Sequence, residues 1–311
     1  MNKSNILKNK ISISTYFYSN NFGAIFQALS LQEFISKKFD QEVCFNKFQP
    51  QSFLFHEILK PMMRKKFWKI TQVLKKNIKL FFWRLKMNIP FPSILKKSNK
   101  YPINIFGSDE IWNFKNHFNG LENFFFGKYT HGEKIAYAVS IGNAKLEKIK
   151  SDNLIQISQL IEKFSYISVR DTSTHEFVKK ITKKEIPIVL DPCLLDDNNF
   201  MDKIIQIPEK SKYAVVYGNY FTENNKMKII KYCEKNNLKI YSLSYFNEWT
   251  ENKISLNGDE FINYFKNAEV IFTSTFHGII FSYKFKKNFW FENDPRKISK
   301  SEYFINKLNL N

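Results

Sequence analysis

The chain of 311 residues carries 48 Lys and Arg against 29 Asp and Glu, a formal net charge of +19. That length leaves room for two ordinary domains or one large α/β domain, and 43% hydrophobic residues with 33 Phe exclude a disordered or acidic-tail protein. Nine Gly and nine Pro exclude collagen-like and low-complexity classes.

Met1 to Ser14 alternates polar and apolar residues and lacks the continuous apolar stretch of a signal peptide. A first strand is expected from Ile11 to Phe17, followed by an amphipathic helix from Phe22 to Lys38 capped by Asn20 or Asn21. The link between them, Tyr18-Ser-Asn-Asn-Phe-Gly-Ala24 with Gln27 one turn on, is a strand-to-helix turn of the kind at which α/β proteins bind ligands. A capped helix explains the same residues. A second strand follows from Glu42 to Phe48.

Between Lys60 and Lys100 the chain has 13 Lys and Arg and no Asp or Glu, so this stretch holds 13 of the 19 net charges. Within it Phe67, Ile70, Leu74, Ile78, Phe81, Phe82 and Leu85 recur at three- and four-residue steps, which predicts an amphipathic basic helix from about Arg64 to Lys86. Two readings stand: a surface helix docked by its apolar face with a solvated cationic face, or contact with an anionic membrane surface or a lipid-linked acceptor. No nucleic-acid recognition motif accompanies the charge, and no nucleic-acid partner is expected.

Further strands are expected at Ile103–Phe106, Ile135–Ser140, Ile167–Arg170 and Ile186–Leu190, with helices between them. Phe106-Gly-Ser-Asp-Glu-Ile-Trp-Asn113 places carboxylates, a hydroxyl, an indole and an amide at a strand end, a set that suits a sugar but also suits a tight turn capped by Ser108 or Asp109. Tyr166-Ile-Ser-Val-Arg-Asp171 ends in Arg170, whose guanidinium fits a phosphate or carboxylate ligand, or an ion pair with Asp171 or Asp191.

After Asp191-Pro192 the text turns polar, and a domain boundary is expected at residues 197/198. A second α/β set follows, with strands at Tyr213–Tyr217, Lys239–Leu243, Val270–Thr273 and Asn288–Phe291 and helices at Glu223–Lys235 and Asp259–Lys266. In Ile271-Phe-Thr-Ser-Thr-Phe-His-Gly278 a strand runs into hydroxyls and then into a helix opened by His277 and Gly278, an anion and acid/base site in outline. Two Rossmann-like domains facing across a cleft are the expected architecture. Residues 1–197 form the first, with a basic helical insert at about 58–100, and residues 198–311 the second. Cys44, Cys193 and Cys233 lie far apart and indicate no zinc site or disulfide framework. No apolar run approaches the roughly 18 to 20 residues of a membrane span, so a cytoplasmic protein is expected, with peripheral contact at the inner membrane face if the basic helix binds lipid.

Taken in order, these motifs resemble the polysaccharide pyruvyl transferase family: Asn21-Phe-Gly-Ala-Ile-Phe-Gln27, Gly107 to Asn113, Tyr137-Ala-Val-Ser140, Ser168 to Asp171, Leu190 to Leu195 and Ser274 to Gly278. The resemblance implies a GT-B-like fold and transfer of a pyruvyl group from phosphoenolpyruvate to two hydroxyls of one sugar, with no further cofactor. It also implies an acceptor side in the first domain (Asn21, Gly23, Gln27, Ser108, Trp112) and a donor set of Arg170, Ser274, Thr275 and Gly278. His277 and Asp109 would be catalytic, and the acceptor a free or lipid-linked glycan. Thr275 stands where some members carry Arg, a departure for which Arg296 or a Lys of the basic segment could compensate. A GT-B-type glycosyltransferase using a nucleotide sugar is the alternative reading of the same fold.

Overall fold

A computed structural model describes residues 10–50, 55, 67–94, 101–114, 124–145, 149, 151–195, 200–204, 211–295 and 298–307. Its contacts divide the chain into two units. One comprises Met1–Glu57, Ile89–Asn198 and Ser299–Asn311, the other Ile58–Asn88 and Asn199–Ile298.

The first unit is built on strands β1 (Lys10–Ser14), β2 (Glu42–Phe45), β3 (Ile103–Phe106), β4 (Glu133–Val139) and β5 (Tyr166–Val169). They form one sheet in the order β2-β1-β3-β4-β5, every pair parallel. Parallel strands need crossovers that cover the sheet faces, so their residues read as apolar runs rather than alternations. Helix α1 (Phe22–Phe39) makes the first crossover and buries Phe22, Ile25, Phe26, Leu29 and Ile35, with Asn21 as its N-cap. Helices α3 (Ser151–Ile161) and α4 (Thr172–Thr182) flank β5 in sequence, and their buried residues Ile157, Ile161, Phe177 and Val178 join Phe106, Trp112 and Phe164 in one core.

Ile186–Leu190, expected as a strand, makes only an isolated parallel bridge between Val169 and Ile188. Val169 N–H donates to Pro187 O (3.0 Å) and Val189 N–H to Val169 O (2.8 Å). Pro187 has no N–H to extend the ladder.

The second unit carries β6 (Tyr213–Tyr217), β7 (Lys239–Leu243), β8 (Glu251–Lys253), β9 (Val270–Thr273) and β10 (Phe289–Phe291) in the order β10-β9-β6-β7-β8, again all parallel. All five residues of β6 are buried. Helices α5 (Glu223–Lys235), α6 (Gly258–Asn267) and α7 (Phe276–Lys284) connect the strands, and α8 (Ile298–Lys307) follows β10. The edge strand β8 is Glu-Asn-Lys and has no apolar signature for sequence reading to find.

The basic helix, α2 (Phe67–Lys86), departs from its expected domain. Residues Arg64 to Lys66, expected at its start, lie outside the described ones. The sequence reading placed it in the first domain, whereas its contacts place it in the second unit. Trp83 Nε1 donates to Asp259 Oδ1 (2.9 Å), Lys86 pairs with Asp259 (2.6 Å) and Lys79 with Glu260 (2.7 Å). Ser255 Oγ donates to Gln72 O (2.9 Å). These groups meet the amino end of α6, whose Asn257 and Glu260 form a capping box. Trp83 lies against Gly258, where a Cβ would stand 2.1 Å from Trp83 Cζ2. The carboxyl-terminal stretch also departs from the expected boundary, since Ser299–Asn311 groups with the first unit.

Of the two readings of this helix, the one that docks the apolar stripe on the protein does not hold. Val73, Leu80 and Trp83 are buried while Leu74, Ile78, Phe81, Phe82 and Leu85 are exposed. Among the described residues no helix is long and apolar enough to cross a membrane.

This geometry separates two neighbouring aromatics. Trp83→Ala should cost about 3–5 kcal/mol of the second unit's stability. Phe82→Ala, at a position 64% exposed, should stay within about 0.5 kcal/mol of the parent. Urea unfolding of the two variants is the check, and the reverse ranking would mean that α2 docks by its other face.

Candidate functional site

Each sheet has one place where its strand order reverses, between β1 and β3 in the first unit and between β6 and β9 in the second. Connections leave such neighbouring strands in opposite directions, which opens a crevice beyond their carboxyl ends. The Gly107-Ser-Asp109 segment follows β3 and the Ser274-Thr-Phe-His277 segment follows β9, so both sit at a reversal.

In the first unit the turn after β3 is tightly fixed. Gly107 has φ 121°, and a Cβ there would stand 2.0 Å from Tyr137 O. Asp109, a non-glycine residue, has φ 85°, an uncommon conformation that the surrounding contacts must hold. Thr15, just beyond β1, donates from Oγ1 to Ser108 O (2.8 Å) and accepts from Gln27 Nε2 (3.0 Å). Gln49 Nε2 donates to Thr15 O (2.9 Å). Gln27, expected to touch the acceptor, is therefore a buried tie between α1, the end of β1 and the Ser108 turn. Asn21 Oδ1 accepts from Gly23 N (3.0 Å), so these two residues serve as cap and first turn of α1.

Trp112 was expected to offer a ring face to a sugar. It is 0% exposed, stacks on Phe126 at 5.6 Å and donates from Nε1 to Phe125 O (2.9 Å), so it belongs to the core.

Arg170, at the end of β5, directs its guanidinium back under the turn. Nη1 donates to Asp191 Oδ2 (2.9 Å) and lies 3.4 Å from Ser108 Oγ, and Nη2 stands 3.5 Å from Asp109 Oδ1. Its side chain is 3% exposed and Asp191's is 0% exposed, whereas that of Asp109 keeps 14%. Burial pulls the Arg170 pKa down, but Asp191, Asp109 and Asp171 more than reverse that and raise it. One cation beside three carboxylates leaves the cluster net negative. The ion-pair reading of Arg170 is the one the contacts support, and the guanidinium fork expected for a donor phosphate is engaged by carboxylates. Tyr137 Oη donates to Leu190 O (3.1 Å), and its pKa is raised, first by burial and then by the Asp191 charge.

In the second unit Thr275 is the N-cap of α7, its Oγ1 accepting from Gly278 N (3.0 Å). A Cβ on Gly278 would stand 1.9 Å from Thr273 Oγ1, so the motif's Gly is demanded by close packing of β9 on α7. Thr273 Oγ1 donates to Tyr217 O (2.7 Å), which locks the ends of β6 and β9 together. Ser274 is buried, and its Oγ accepts from Tyr220 N (3.2 Å). His277 is half-buried in the first turn of α7, with its ring 5.4 Å from Phe276 and 6.1 Å from Phe281. The hydroxyls expected to bind donor thus shape the helix start, and His277 is the motif's chemically versatile group. Arg296 lies outside the described residues. Among the described residues no group of three or more His, Cys, Asp and Glu is arranged to hold a metal ion.

Sequence reading missed Thr15, which lay inside an expected strand, and Asn247, whose Nδ2 donates to Gly218 O (2.9 Å) beside Ser274 and which has no local signature.

The family model for polysaccharide pyruvyl transferase matches residues 21–292, and the chain belongs to that family. Among solved structures, the functionally uncharacterized protein KP1_0663 from Klebsiella pneumoniae is similar in fold, at 14% identity and TM-score 0.54 over 99% of this chain and 92% of that one. The Escherichia coli heptosyltransferase WaaC with ADP-2-deoxy-2-fluoro heptose aligns at 11% identity and TM-score 0.42 over 96% and 99% of the two chains. A UDP-GlcNAc 2-epimerase from Methanocaldococcus jannaschii aligns at 11% identity and TM-score 0.43 over 96% and 86%. No curated protein matches the chain.

The cluster is open to a stability test. Asp191→Ala leaves the buried Arg170 charge without its nearest partner and should cost about 3–5 kcal/mol, whereas Asp109→Asn, on the exposed side, should cost no more than about 1 kcal/mol. Denaturant titration of both decides it, and equal small losses would show that the ion pair does not organise the turn.

Proposed function

We propose that the protein transfers the pyruvyl group of phosphoenolpyruvate to a sugar of a bacterial surface polysaccharide or its precursor, forming a cyclic ketal. The observation that carries this reading is the family match across residues 21–292, which includes both the Asp109 turn and the His277 helix start. In the reaction one sugar hydroxyl adds to C2 of phosphoenolpyruvate as C3 takes a proton and becomes a methyl. The C2–O bond to phosphate then breaks with phosphate taking the electron pair, and the second hydroxyl closes on C2 as its proton passes to a base. The products are the ketal and inorganic phosphate, and no oxidant or reductant is needed.

The local charges support a division of labour. The first unit's reversal point is net negative around Asp109, a setting that accepts hydrogen bonds from sugar hydroxyls and takes up a proton. The start of α7 carries the positive end of a helix dipole and the His277 imidazole, which suit a phosphate or carboxylate. In this reading Asp109 is the base for the acceptor hydroxyl and His277 holds and activates the donor. Arg170 acts one step back, as a positioning residue for Asp109.

The experiment is phosphate release from phosphoenolpyruvate with a panel of nucleotide- and lipid-linked sugars. His277→Ala should lower turnover by about 10²- to 10⁴-fold while leaving the unfolding midpoint unchanged. Consumption of a nucleotide sugar with no phosphoenolpyruvate-dependent phosphate would instead make the protein a glycosyltransferase.

A further inference from the structure

Helix α2 presents to solvent the face that amphipathic surface helices bury. Leu74, Ile78, Phe81, Phe82 and Leu85 follow one another at steps of four, three, one and three residues and form a single stripe. All five are exposed, Ile78 at 57%. The opposite face, with Gln72, Lys79, Trp83 and Lys86, holds the helix to the start of α6. An apolar stripe facing water is unfavourable unless another apolar phase covers it.

The charges select the occupant. Within Phe67–Lys86 there are six Lys and Arg and no Asp or Glu; Lys79 and Lys86 pair with Glu260 and Asp259, and Lys76 and Arg84 are buried. Lys75 is exposed next to the stripe. A second copy docked face to face would set these cations against their own kind, in a chain of net charge +19. An anionic bilayer offers both an apolar layer for the stripe and phosphates for the cations.

We infer that the exposed apolar stripe of α2 is a docking face for an anionic phospholipid surface, on which the helix lies in the plane of the headgroups. The inference rests on the placement of α2 alone and does not depend on the proposed chemistry.

Cosedimentation of the full chain with vesicles tests it. Vesicles of phosphatidylcholine with phosphatidylglycerol should bind the protein at low salt and release most of it at physiological salt, because screening falls to a Debye length of roughly 8 Å there. Phosphatidylcholine alone should bind poorly. Ile78→Ser with Phe82→Ser, at exposed positions, should weaken binding by about 10-fold or more without changing the unfolding midpoint, and Lys75→Glu should weaken it at low salt. Failure to bind anionic vesicles at low salt, or equal binding by the double Ser variant, overturns the inference. So does a dimer in sedimentation velocity that the double Ser variant dissociates, which would assign the stripe to a second copy.

Discussion

Parallel strand pairing is the constraint from which the rest follows. Every neighbouring pair in both sheets is parallel, so each strand's carboxyl end arrives at the same edge and each connection must cross a face. The crossovers bury the inner strands such as β6 and β9 on both sides, which removes those sheet faces as ligand surfaces. What remains for chemistry is the edge where strands end, and along that edge the place where the order reverses. The segments Gly107 to Asn113 and Ser274 to Gly278 stand immediately after β3 and β9, and α1, capped by Asn21, begins after β1 on the other side of the first reversal.

The two reversal points differ in charge, and each difference has a local cause. After β3 the backbone is bent through Gly107 and Asp109 in conformations that need support, and the support is a buried arginine holding two carboxylates. A buried ion pair of this type is weak evidence for stability as such, since desolvation offsets much of its Coulomb energy. Its effect is orientation: Asp191 fixes the guanidinium from below, and the guanidinium fixes Asp109 where it retains access to solvent. After β9 the stabilising element is instead a helix start closed by Thr275, with the half-buried His277 in its first turn, at the positive end of the helix dipole.

The sheet strands were legible wherever parallel burial writes an apolar run: β3, β6, β7 and β9 were found at their observed limits. Ile186–Leu190 read as a strand on composition, but one proline withholds the N–H that a ladder requires. The strand β8 is polar because it is short and at an edge, so no pattern announces it. At the candidate site, residue types singled out the turns after β3 and β9, and the contacts give Trp112, Gln27 and Arg170 structural partners within the first unit. An indole, an amide and an arginine beside a carboxylate read equally well as ligand contacts or as supports. Only burial separates Trp112 and Gln27, enclosed in the first unit, from Asp109, which keeps part of its surface.

Helix α2 shows why periodicity locates an amphipathic face without saying what covers it. The stripe from Leu74 to Leu85 has the spacing of a core face, and a core was its default partner. The competing face is weaker in hydropathy but stronger in specific contacts: an indole N–H and two ammonium groups meet the carboxylates at the start of α6, the Gln72 side chain accepts from Ser255 Oγ just before its cap, and Gly258 makes room for the Trp83 ring. Charge complementarity between a helix with no acidic residue and a helix start with Asp259 and Glu260 settles the orientation, since reversing α2 would separate those ions and bury no comparable indole. The apolar stripe is then left outward as a consequence of electrostatics inside the unit, on a helix that, like every other among the described residues, is not long and apolar enough to cross a membrane.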